Sequence, residues 1–136
     1  MPHTPTPEIS DADVDAYAED GIVCLRGVFD TEWVEHLREC VDQCIAAPGP
    51  LAKDITRHGE GKFVSDTFVH EHVPGFKRFI WESPAAAIVA RVLGSAKVNL
   101  LFDQILVKEP GSTTRTMWHH DHTYWPVAGD QVCTLW

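Results

Sequence analysis

The sequence predicts a mixed α/β domain of the α+β kind, with helices gathered in the N-terminal half and a sheet following them. Two amphipathic patterns before residue 48 carry the helices. A long apolar run at 97–108 carries the sheet. A third observation marks the chemistry: His119, His120, Asp121 and His122 stand on consecutive positions, flanked by Trp118, Tyr124 and Trp125.

The bulk numbers narrow the class. A chain of 136 residues suits one domain, and 44% hydrophobic with 23% charged residues is ordinary for a soluble globular fold. Lys and Arg number 11 against 20 Asp and Glu, a formal charge of −9. That sign argues against nucleic acid and against an anionic membrane surface, both of which favour clustered bases. The start, with Pro2, Pro5 and Pro7, has no apolar run, so neither a signal peptide nor a membrane span is expected. A cytoplasmic protein follows as the default. Cys24, Cys40, Cys44 and Cys133 contain no C-x-x-C pair and are expected as reduced packing residues, with a disulfide or a zinc knuckle as the alternatives.

In chain order, residues 1–9 read as a flexible lead to a single domain over 10–136. Ser10 caps a helix through about Glu19, with Asp11 and Asp13 at its positive end and Gly21 as its stop. Ile22 to Arg26 is a short β-branched run between glycines and predicts a strand. Asp30 caps a stronger helix through about Ala47. Its stripe is Trp33, Leu37, Val41, Cys44 and Ile45, and Pro48-Gly49-Pro50 ends it. Residues 51–61 are polar and predict a loop, and Lys62 to Val69 a strand. His70 and His72, two apart on such a strand, have a spacing that suits a metal, but no third ligand stands near them in sequence. Pro74 to Trp81 predicts a short helix. Ser83-Pro84 opens another over Ala85–Leu93 that Gly94 closes.

Lys97 to Lys108 predicts the main strand. Both of its faces are mostly apolar, which places it in the middle of the fold. Asp103 and Gln104 interrupt that run, and buried polar groups need partners. A turn follows at Glu109-Pro110-Gly111-Ser112, and Gln131 to Trp136 predicts the start of a further strand.

If the histidine stretch is extended, His119 and Asp121 face one way and His120 and His122 the other. An imidazole nitrogen with a carboxylate oxygen suits a ferrous ion. One more histidine would complete a 2-His-1-carboxylate facial triad. The same parity lets His120 pair with His122, and a structural zinc held by His119, His120 and His122 is a second arrangement of the same residues. The His-x-His-then-Glu pattern of cupin metal sites fits poorly, because no Glu lies between Tyr124 and Gln131.

Trp118-His119-His120-Asp121 followed by Tyr124-Trp125-Pro126 resembles the W-H-x-D-x-x-Y-W-P signature of the phytanoyl-CoA dioxygenase family. Leu106 to Gly111 resembles the strand and turn that lead into it, and Tyr17 to Phe29 the family's N-terminal helix and strand. The resemblance implies a double-stranded β-helix core, a jelly roll of the cupin kind, behind N-terminal helices. It implies a dioxygenase dependent on Fe(II) and 2-oxoglutarate, which uses molecular oxygen to hydroxylate a small organic substrate and releases succinate and CO2. It implies His119 and Asp121 as iron ligands, Gln104 and Lys62 at the 2-oxoglutarate site, and Trp136 beside that cosubstrate.

The chain departs from the family pattern in one respect. The family places a third ligand histidine and a 2-oxoglutarate-gripping arginine well beyond the motif, and no His or Arg follows His122 here. The expectation is therefore an N-terminal portion, cut before the sheet closes and inactive alone. A non-catalytic family member is the alternative. Substrate identity is not legible, and no Lys/Arg cluster offers a grip for an acyl-CoA.

Overall fold

The computed structural model describes residues 7–136. Four helices and a three-stranded antiparallel sheet make up the architecture. Residues 1–6 of the expected lead lie outside the described residues. Of the remainder, Ile9 is buried.

Helix α1 spans Asp11–Asp20 and starts at a capping box. The Ser10 hydroxyl accepts the Asp13 N–H, and the Asp13 carboxylate accepts the Ser10 N–H at 3.1 Å. Gly21, at φ 73°, ends it in the left-handed conformation that favours glycine. Helix α2 spans Thr31–Ala46. Asp30 caps it by accepting the Trp33 N–H at 2.9 Å, and its buried face is Trp33, Cys40 and Cys44. Ile45, expected on that face, is 39% exposed.

After α2 the chain lays down β1 (Lys53–Asp54) and β2 (Phe63–Thr67), which pair antiparallel with Lys53 opposite Ser65. The pairing puts two residues of strand inside the expected loop. A single 3-10 turn, Val69–Glu71, leads to α3 (Pro74–Glu82) and α4 (Ala85–Val92). Proline opens α3, and the Ser83 hydroxyl accepts the Ala85 N–H at 3.2 Å where α4 begins. Strand β3 (Gln104–Lys108) then pairs with β2, Phe63 opposite Lys108 and Thr67 opposite Gln104, giving the order β1-β2-β3.

The core lies between α2, the 3-10 turn and α3. Cys40, Cys44, Val69, Val73 and Phe76 form it, with Leu37, Val41 and Ile105 packed against it. Helices α2 and α3 touch at Gly75, where a Cβ would stand 2.2 Å from Cys40 Sγ. The His36 ring meets the Gly75 carbonyl there at 2.9 Å.

Three strand expectations are corrected. Residues 22–25 belong to no strand, Arg26 lies in a turn, and Ile22 is 74% exposed. β-branched residues favour extended backbone, but a strand exists only where another strand accepts its hydrogen bonds. Residues 131–136 are likewise outside any strand. In the run 97–108 only Gln104–Lys108 is strand, and it is an edge strand of an open sheet. Ile105 and Val107 are half-buried, while Leu100, Leu101 and Leu106 are exposed. Apolar character on both faces does not place this strand in the middle of the fold. Among the described residues the sheet has three strands and does not close on itself.

Candidate metal centre

The segment that carries the histidines is tied down on its approach. Lys62 O accepts the Glu109 N–H at 2.8 Å where β2 and β3 meet the turn. Gly61 packs so closely that a Cβ would meet the Pro110 carbonyl at 2.2 Å. Glu60 then accepts the Thr113 hydroxyl at 2.5 Å, the Thr113 N–H at 3.1 Å and the Thr114 hydroxyl at 3.2 Å. These bonds, the Thr113 hydroxyl foremost, hold the Glu60 carboxyl below the usual carboxylate range. The Lys108 ammonium donates to the Thr116 hydroxyl at 3.3 Å.

The stretch itself is not a strand. His120 is extended, and Asp121–Tyr124 form a 3-10 turn. His119 and Asp121 nevertheless meet, with His119 Nε2 3.2 Å from Asp121 Oδ1. Extended backbone before the turn and the turn's first residue achieve what strand parity was expected to provide. His119 Nδ1 donates to the Met117 carbonyl at 2.6 Å. Nδ1 is thereby engaged as a donor, and Nε2 is the ring atom that faces a carboxylate oxygen. At that distance a proton or a cation joins the two atoms. A metal ion between the pair fits this donor set, one imidazole nitrogen and one carboxylate oxygen. Asp121 Oδ2 accepts the Thr134 hydroxyl at 3.3 Å, so the far oxygen has its own partner.

The other histidines of the stretch go elsewhere. His122 Nε2 bonds the Val127 carbonyl at 3.1 Å, and the His120 ring bonds the Thr123 hydroxyl at 3.0 Å. The three imidazoles do not converge as a zinc set would. Tyr124 meets the His119 ring edge-on at 6.0 Å, and Trp125 packs edge-on against Phe102 at 5.9 Å. Trp118 is fully exposed.

The remaining expected residues have other partners or none: among the described residues, no hydrogen bond or ion pair joins them to this pair. Gln104 is exposed, and its amide donates to the Thr67 hydroxyl at 3.4 Å across the β2–β3 ladder. Lys62 is exposed at the start of β2. Trp136 is 93% exposed and lines an apolar cleft with Val23, Ile88 and Val92. Asp103, flagged as a polar residue needing a partner, has one in the protein: His70. His72 turns instead to Asp66, so His70 and His72 share no common point.

Sequence reasoning missed the Glu60 anchor, the Met117 carbonyl and Thr134. A backbone carbonyl carries no residue signal. Glu60 and the threonines it holds lie more than fifty positions apart.

No curated protein and no solved structure gives a significant match to the chain. A family model does, that of phytanoyl-CoA dioxygenase (PhyH), over residues 17–136. The matched span takes in α1 from Tyr17 onward, the sheet and the whole His119–Asp121 segment, and on that span the chain belongs to the phytanoyl-CoA dioxygenase family.

Proposed function

We propose that the protein serves an Fe(II)- and 2-oxoglutarate-dependent dioxygenase reaction that hydroxylates a small organic substrate and releases succinate and CO2. The observation that carries this reading is the approach of His119 Nε2 to Asp121 Oδ1 at 3.2 Å, with the opposite ring nitrogen engaged by Met117. His119 and Asp121 would hold the iron. When bound, iron with 2-oxoglutarate supplies the oxygen-activating chemistry. The protein's own share is to orient the imidazole through Met117, steady the carboxylate through Thr134, and place the Tyr124 ring beside the pair.

Two protein ligands are one short of a facial triad. A further imidazole would complete the triad, and the three-stranded sheet would belong to a jelly-roll core. In that assembled core Gln104, Lys62 and Trp136 line the 2-oxoglutarate site. Free cysteines at all four positions agree with a cytoplasmic setting, and no helix is long and apolar enough to cross a membrane.

The test is anaerobic titration with Fe(II) and 2-oxoglutarate, read by the visible charge-transfer absorption of the chelated iron and by succinate release in air. His119→Ala and Asp121→Ala should each abolish the absorption while circular dichroism stays unchanged. Iron bound as tightly by both variants would refute the assignment. Iron absorption without succinate would leave His119 and Asp121 as metal ligands of a chain that does not turn over by itself, and succinate release would overturn the expectation that it is inactive alone.

A further inference from the structure

We infer that Cys44, Asp66 and His72 form a second cation site, separate from the His119–Asp121 pair, built for a divalent ion that accepts a thiolate, above all Zn2+. Three elements converge there: the last turn of α2, strand β2 and the residue after the first 3-10 turn. Cys44 Sγ lies 3.3 Å from Asp66 Oδ2 and 3.6 Å from His72 Nε2, and His72 Nε2 lies 3.1 Å from the same oxygen. Zinc bonds of about 2.0 Å to N or O and about 2.3 Å to S put tetrahedral ligand atoms roughly 3.3–3.5 Å apart. The observed triangle needs little adjustment to receive the ion. Among the described residues this is the group of three or more His, Cys, Asp or Glu side chains whose ligand atoms close to such distances.

The surroundings orient each ligand. Asp66 Oδ1 accepts the Thr67 N–H at 2.9 Å and Oδ2 accepts the Gly49 N–H at 2.8 Å, which fixes the carboxylate. The His72 ring packs against Gly49, where a Cβ would stand 2.3 Å from its Cε1 atom. Only glycine allows that approach, and it locks the imidazole against the end of α2. Charge points the same way. Thiolate and carboxylate together carry two negative charges, which a divalent ion neutralises in a site where Cys44 is 2% and Asp66 3% exposed. The thiolate selects Zn2+ over Mg2+ or Ca2+, which prefer oxygen ligands. His72, with its side chain 21% exposed, gives the ion a route from solvent and leaves a fourth position for water.

Without the ion, protons bridge the three atoms: the thiol donates to Asp66, and the imidazole meets both. Binding expels the thiol proton to solvent, and the proton on His72 Nε2 passes to solvent while Nδ1 takes one up, so that Nε2 is free to bind the ion. The ion then clamps the C-terminal end of α2 to β2 and to the turn before α3.

The test titrates the metal-free protein with Co2+, whose bond to a thiolate gives a near-ultraviolet charge-transfer absorption, and follows its displacement by Zn2+. The absorption should saturate at one equivalent. It should persist in the His119→Ala/Asp121→Ala double variant and in Cys24→Ser, and vanish in Cys44→Ser and His72→Ala. Gly49→Ala should weaken zinc binding about 10- to 100-fold by displacing the ring that the glycine supports. X-ray absorption on zinc-loaded wild-type protein keeps the answer independent of variant folding, with one sulfur per zinc expected. No thiolate absorption, absorption surviving Cys44→Ser, or zinc with no sulfur neighbour would overturn the site.

Discussion

His70 Nδ1 donates to Asp103 Oδ1 at 2.5 Å, and the His70 backbone N–H donates to Oδ2 of the same carboxylate at 3.0 Å. This fork ties the first 3-10 turn to the residue before β3, across 33 positions of sequence. Both side chains are mostly shielded from water, at 16% and 17% exposure. Asp103→Ala would leave two shielded donors without an acceptor, a loss of about 1.5–3 kcal/mol. Asp103→Asn should recover part of it. Urea unfolding measures both, and equal stability of Asp103→Ala and wild type would contradict the fork's role.

Acid should loosen the link into the histidine stretch. The Glu60 carboxyl sits below its ordinary range because the Thr113 hydroxyl and N–H, and then Thr114, bond its charged form. Its folded pKa is thus lower than that of the unfolded chain, about 4.3. The stabilisation is fully present above that value and fades as pH falls through the folded pKa. Hydrogen-exchange protection at the Thr113 amide should drop over that acid window. In Glu60→Gln the protection should be weaker at neutral pH and nearly flat across it.

Local signals were legible in the sequence and partnered ones were not. Ser10, Asp30 and Gly21 stop or start helices through bonds within three or four residues, so α1 and α2 could be read off directly. The meeting of His119 and Asp121 was also legible, because two residues two apart stay close in extended chain and in a 3-10 turn alike. Strand at 22–26 and 131–136 depended on distant partners that those segments do not find. Asp103 could be recognised as needing a partner, but not that the partner was His70. Cys44, Asp66 and His72 come from three elements up to 28 positions apart, and no spacing rule joins them.

Thiol reactivity should separate the cysteines. Cys24 is exposed, whereas Cys40 and Cys44 are buried. Burial pushes the Cys44 thiol up to about 12, with the Asp66 carboxylate adding to it, and burial, then Glu39, raises Cys40. The thiolate is the reacting species. With iodoacetamide at about pH 8, Cys24 should be modified at least about 10-fold faster than Cys40 or Cys44, which should react only on unfolding. Peptide mass spectrometry over a time course reads this directly.

Gly75 holds the closest approach of α2 and α3. Gly75→Ala would force a methyl to 2.2 Å from Cys40 Sγ and close to the His36 ring. Both neighbours lie on one rigid helix, so the helices must separate. A cost of about 1–3 kcal/mol follows from overpacking. Gly75→Ala/Cys40→Ala removes the clashing sulfur and should recover part of the loss, measured as a rise in Tm over the single variant. No recovery would place the strain elsewhere.

The aromatic residues of the histidine stretch divide by what they touch. Trp125 stacks edge-on against Phe102 at 5.9 Å, and Phe102 in turn meets Phe68 at 6.2 Å and so joins the stretch to the end of β2. Trp118 is fully exposed and next to His119. Trp125→Ala removes a half-buried ring and its aromatic partner, which should cost about 1–2 kcal/mol. Trp118→Ala removes no packing and should change stability by less than about 0.5 kcal/mol. If the exposed indole serves substrate or a covering segment, its removal acts on binding and leaves Tm alone. Thermal melts of the two variants separate these roles. Equal losses of Tm would mean that Trp118 is packed in solution.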